Sequence, residues 1–165
     1  MQVNIENEIK IIHMGEKGPN LLSVERANEI ISELSKNDCK AVIILGNEKV
    51  FSAGLNLKDL QKAKEESEVS LIFTTLRELL VASRKFPGPV ISIVSGHAIA
   101  GGCLLALASD YRYGVHGMHR MGLNEMAIGI DLPPDMLSII SHNISKNYLF
   151  EVATQCRMYS PTEAL

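Results

Sequence analysis

The chain has 165 residues, 46% of them hydrophobic and 21% charged, with a formal net charge of −3. That composition suits a single globular domain over residues 1–165, burying roughly 70% of its extended-chain surface. Weak acidity without a basic stripe argues against a nucleic-acid partner, and no apolar run approaches the ~20 residues of a membrane helix.

In chain order, Ile9–Met14 reads as a first strand, stopped by Gly15 and by Gly18-Pro19-Asn20. Ser23 can cap a helix in which Val24, Ala27, Ile30, Ile31 and Leu34 recur at helical spacing. Ala41-Val42-Ile43-Ile44-Leu45 is apolar throughout, the pattern of a strand covered on both faces. After the turn Gly46–Lys49 comes Val50-Phe51-Ser52-Ala53-Gly54-Leu55-Asn56, in which Asn56 can cap a short charged helix or lid from Lys58 to Glu66. Val69, Ile72, Phe73, Leu76, Leu79 and Leu80 mark a longer amphipathic helix, broken at Phe86-Pro87-Gly88-Pro89. The β-branched run Val90–Val94 is then a buried strand.

The stretch that organises the chain follows. Ser95-Gly96-His97-Ala98-Ile99-Ala100-Gly101-Gly102 leads from that strand into the helix-forming run Cys103–Ser109. A helix N-terminus carries amides without internal acceptors and the positive end of the helix dipole. Small residues there let a ligand reach those donors, so the stretch is a place to hold resting or developing negative charge. Beyond it, Asp110–Val115 is strand-like, His116–Arg120 is a polar turn, and Met121–Glu125 returns toward the core. Pro133-Pro134 opens a helix with Met136, Leu137, Ile140 and Ile144 on its apolar side, and a further helix covers Tyr148–Cys156. Ser160-Pro161-Thr162-Glu163 is a capping box, two residues from the end of the chain, which raises the expectation of a shortened polypeptide. Strands alternating with helices predict α/β architecture with parallel strands.

The three cysteines, Cys39, Cys103 and Cys156, lack CxxC spacing and read as reduced thiols. The acidic start Met1–Glu8 has no signal- or transit-peptide character, so a cytoplasmic location is expected. His116-x-x-His119 lies in a turn without a third ligand, and no metal is expected. Ser52 and Ser95 lack the G-x-S-x-G elbow of a serine hydrolase.

Phe51-Ser52-Ala53-Gly54-Leu55-Asn56-Leu57 resembles the FSAG-x-D-L motif of the crotonase (enoyl-CoA hydratase/isomerase) superfamily. Gly96-His97-Ala98-Ile99-Ala100-Gly101-Gly102-Cys103 resembles its G-x-A-x-G-G-G-C motif, with Asn56 and Ala100 as the departures. The resemblance implies a spiral of ββα units, here without the usual C-terminal helices, and chemistry through a thioester enolate. It implies an oxyanion hole at the backbone amides of Ala53 and Gly101, and acyl-CoA contacts from Ser52, Gly54, Leu55, Ala100, Gly102, Leu104, Leu123 and Met126. It also implies a homo-oligomer, a trimer or dimer of trimers, with coenzyme A entering as part of the substrate and no separate cofactor.

Hydratases of the family carry two glutamates. The first position here is Leu104, whereas the second matches Glu125 in Gly122-Leu123-Asn124-Glu125. A double-bond shift needs one base, which a glutamate in an apolar pocket can supply. The segment resembles the Δ3,Δ2-enoyl-CoA isomerases. Pro133 stands where relatives with a second acid carry aspartate, and Asp131, two residues earlier, reads as a turn residue. Two readings result: an enoyl-CoA isomerase with Glu125 as proton shuttle, or a shortened non-catalytic module that binds acyl-CoA or partner subunits.

Overall fold

In the computed structural model, which describes residues 1–164, the chain winds through two sheets. It opens with a hairpin, β1 (Gln2–Glu6) antiparallel to β2 (Ile9–His13), turned at Asn7 and Glu8, both with positive φ. The sequence reading missed β1, because its residues are polar and exposed: a strand on a sheet edge buries too little to show an apolar pattern. Helix α1 (Val24–Ser35) follows, its first turn capped by the Ser23 hydroxyl, which accepts from the Arg26 amide at 3.3 Å.

From there the path repeats. A strand joins the large sheet, a short strand joins the small sheet, and a helix returns across the outside. The first turn is β3 (Ala41–Leu45), β4 (Val50–Ser52), then α2 (Leu57–Lys62) and α3 (Glu66–Lys85). The second is β5 (Val90–Val94), β6 (His97–Ile99) and α4 (Gly101–Ala108). The third is β7 (Tyr111–Gly114), β8 (Met121–Gly122) and α5 (Pro134–Asn143), with α6 (Leu149–Thr154) beyond it. The large sheet runs β1-β2-β3-β5-β7 and the small one β4-β6-β8, parallel throughout except for the first hairpin. This is the ββα spiral the motifs imply. The sequence reading had β5 feed α4 directly; the short strand β6 intervenes, too brief and too small in its residues to stand out as a strand.

Inward residues of the large sheet (Ile12, Val42, Ile44, Val90, Val94) pack with Ile30 and Leu34 of α1 and Leu76, Leu79 and Leu80 of α3. The alternate residues of β3 are only half-buried, so β3 is covered fully on one face and not on both. Helix α4 is the centre of the fold, with all eight residues buried between the sheets and the outer helices. Leu137 of α5 is 41% exposed, contrary to its expected place on the apolar side, while Met136 and Ile140 are buried. The capping box at Ser160 forms as expected: the Ser160 amide donates to Glu163 at 2.8 Å, and the Glu163 amide donates back to Ser160 Oγ at 3.4 Å. Among the described residues no helix is long and apolar enough to cross a membrane.

Candidate active site

The site follows from the small sheet. Because β4, β6 and β8 are parallel, their C-terminal ends reach one edge, where parallel sheets hold ligands. Ser52 pairs with Ala98 and Ile99 with Gly122. Leu55, Gly101 and Glu125 therefore emerge side by side, two or three residues beyond their strands. Two backbone bonds donated from the β6 segment to the β8 segment fix this register: Ala98 N–H to the Arg120 carbonyl (3.0 Å) and Ala100 N–H to the Gly122 carbonyl (2.9 Å).

Glycines bring the loops into direct contact. A Cβ on Gly102 would lie 2.2 Å from the Ser52 carbonyl oxygen, so only hydrogen lets α4 seat on β4. Gly54 has φ +82°, and a Cβ there would stand 2.9 Å from the Gly101 nitrogen, in the space in front of that amide. Ala100, the N-cap of α4, has φ 52° and ψ −127°, a conformation natural to glycine and strained in alanine.

Which amides remain free is decided by tertiary partners. The Ala53 N–H donates to the Pro19 carbonyl at 3.0 Å, so Ala53 is committed within the protein and is not the free donor expected of it. The Gly54 carbonyl accepts from Leu22 N–H at 2.8 Å. Leu55 N–H and Gly101 N–H have no acceptor among the described residues, and both residues line one cavity. The donor pair is thus Leu55 and Gly101, with Gly101 also at the positive end of α4.

The cavity measures about 70 Å³. Its walls include Leu55, Ala100, Gly101, Leu104, Asn124 and Glu125, together with apolar side chains of α3 and α5. Glu125 is 7% exposed, and its Oε2 is buried without a hydrogen-bond partner. Burial pushes its carboxyl above the ordinary range, partly opposed by the nearby backbone amides of Glu125 and Asn124. Its own carbonyl accepts from the amides of Ile128 and Ile130 at 3.1 and 2.9 Å, which pins the turn that aims the side chain inward. Cys103 is also buried; desolvation first, then the charge of Glu125, pushes its thiol up to about 12, so it is no nucleophile.

The remaining expected contacts divide. Leu104 is fully buried in the cavity wall on the turn after Gly101, and Ala100 is in the wall beside it. Ser52 and Gly102 act behind the cavity: Ser52 Oγ donates to the Asn20 carbonyl (2.8 Å) and accepts from Gly54 N–H (3.2 Å), holding the loop. Leu123 is buried in the core rather than in the cavity. Met126 is a correction: it is 46% exposed and off the cavity wall, because the 3₁₀ turn Met126–Ile128 rotates it outward and brings Ile128 to the wall instead. Sequence reasoning missed the Leu55 amide, Asn124, whose buried Oδ1 lacks a partner, and Asp131, which reaches the cavity rim. For Asn124 the signal would have been burial against an apolar wall, which its polarity hid; Asp131 is exposed and offered no signal beyond its place in the turn.

A family model described as enoyl-CoA hydratase/isomerase matches residues 4–165. The chain is 32% identical over 176 residues to the mitochondrial enoyl-CoA delta isomerase 1 of Rattus norvegicus, covering 99% of this chain and 59% of that one. It is 34% identical over 83 residues to the mitochondrial enoyl-CoA hydratase domain-containing protein 3 of the same species, covering 50% of this chain and 28% of the other. The chain thus spans well under two thirds of these relatives. Among solved structures it superposes on an enoyl-CoA hydratase from Mycobacterium ulcerans with a TM-score of 0.91 at 26% identity. An Mtb enoyl-CoA isomerase gives a TM-score of 0.89, also at 26% identity; each alignment covers 99% of this chain and 72% of the other.

Proposed function

The chain belongs to the enoyl-CoA hydratase/isomerase family, and from that premise we propose that it moves the double bond of a 3-enoyl-CoA thioester to the 2-position. One observation carries the reading: a buried carboxyl oxygen without a partner, Oε2 of Glu125, shares an apolar cavity with two backbone amides unclaimed among the described residues, Leu55 and Gly101. In its ionised form Glu125 takes a proton from C2 of the acyl group. The C–H electron pair moves into the C1–C2 bond and charge collects on the thioester oxygen. The amides of Leu55 and Gly101 hold that oxygen, each such donor being worth ~3 kcal/mol of barrier. The dienolate then collapses with protonation at C4 by the acid form of Glu125, leaving the double bond between C2 and C3. One group works both ways because desolvation raises its proton affinity toward that of its task.

Hydration is the competing reaction, and hydratase names occur among the relatives. It is less well served here: Leu104, on the helix turn that faces Glu125 across the cavity, is a fully buried hydrocarbon that neither holds nor activates water. The test is a coupled assay of 3-enoyl-CoA conversion by the purified chain and by Glu125→Gln. The expected result is turnover by the parent and a loss of at least 10³-fold in kcat in the variant, with thioester binding kept. Equal rates in the two would refute the role of Glu125.

A further inference from the structure

The cavity has a mouth and a blind end. At the mouth, Leu57 and Ile128 are 47% and 45% exposed. At the other end Leu76, Leu104, Leu132 and Met136 are all nearly inaccessible and close it with hydrocarbon. Helix α5 supplies the last of these; Pro134 sets its first turn, Asp135 forms an exposed ion pair with Arg77 of α3 at 2.7 Å, and Met136 and Ile140 seat it on the core. Met136 thus enters from a packed helix, and Leu132 from the segment just before it.

The volume limits what fits. An apolar cavity of ~150 Å³ takes one benzene ring, and this one is about 70 Å³. The same space is lined by Leu55, Gly101 and Glu125, so the reacting segment itself occupies it and little is left for a tail beyond C4. A longer chain has to displace Met136 or Leu132, and packed interiors resist such displacement.

Resting on the isomerase reading for the placement of the thioester, we propose that the site is built for short acyl groups, about four to six carbons, and that Met136 and Leu132 set the limit. The test measures binding of saturated acyl-CoA esters from butanoyl to decanoyl by calorimetry, alongside turnover of the matching 3-enoyl esters. Affinity is expected to rise to hexanoyl and fall at least tenfold by decanoyl. Met136→Ala should raise the decanoyl-to-hexanoyl affinity ratio about tenfold, Leu132→Ala should act in the same direction, and the volume-conserving Met136→Leu should keep the parent profile.

Affinity that keeps rising through decanoyl in the parent overturns the proposal, as does an unchanged ratio in folded Met136→Ala. Absence of turnover at every length, with the length-limited binding intact, would overturn the isomerase reading and leave the size limit standing. Turnover with no length limit would do the reverse.

Discussion

Replacing Glu125 by glutamine should make the protein gain stability relative to the parent as pH rises, while removing its activity. The carboxyl is 7% exposed, and its Oε2 has no donor to meet. Burial of the ionised form without a donor costs more than burial of the neutral form, and that excess is what pH switches on and off. The sign of the pH dependence follows from burial raising the folded-state pKa above 4.5. Below 4.5 the group is neutral in folded and unfolded chains alike, and the excess is absent. As pH rises from 4.5 through the raised folded value, the unfolded chain ionises first and the folded state loses stability; above that value the loss is constant. Glutamine has the same shape and does not titrate. At ~2–4 °C per kcal/mol for a chain of this size, the loss is read as a Tm difference, variant minus parent, that grows as pH rises from 4.5 and levels off above the folded-state value. Paired thermal melts across pH 4–8 measure it, since other titrating groups cancel in the difference. A difference independent of pH, or one that falls as pH rises, would refute the buried state of the Glu125 carboxyl.

Two further outcomes follow from the glycine contacts. Ala100→Gly relieves a backbone conformation that alanine holds under strain and should gain ~1 kcal/mol, read as a higher urea midpoint with an unchanged slope. Gly102→Ala puts a Cβ 2.2 Å from the Ser52 carbonyl oxygen and should cost ~3 kcal/mol by overpacking, lowering the urea midpoint and the turnover of 3-enoyl esters together.

Much of this architecture is written in the sequence. The apolar runs of β3 and β5, the spacing in α1 and α3, and the Ser23 cap are local signals, and the structure keeps them. The glycine stretch and Glu125 were legible because close backbone contact and the proposed proton transfer each call for particular residue types. Strand β1 was hidden by its exposure, and β6 by its brevity. The Ala53 and Leu55 amides could not be told apart, because an amide is free or engaged according to what lies across from it. Pro19, 34 positions earlier in the chain, supplies the carbonyl that claims Ala53. Met126 faced the wrong way for a similar reason: a tight turn after Glu125 sets its direction, and the period of that turn is not the period of an α-helix.

The contact between Gly102 and the Ser52 carbonyl has an evolutionary consequence. In the proposed reaction the charge-holding half of the pocket consists of backbone N–H groups, which among side-chain changes only proline removes, clamped by main chain against main chain. The proton-moving group of the proposed reaction, by contrast, sits on an ordinary side chain at position 125, with a leucine at 104 on the same cavity wall. A lineage carrying this frame is therefore free to exchange leucine for an acid, or an acid for leucine, and so trade one reaction for another without rebuilding the cradle beneath it.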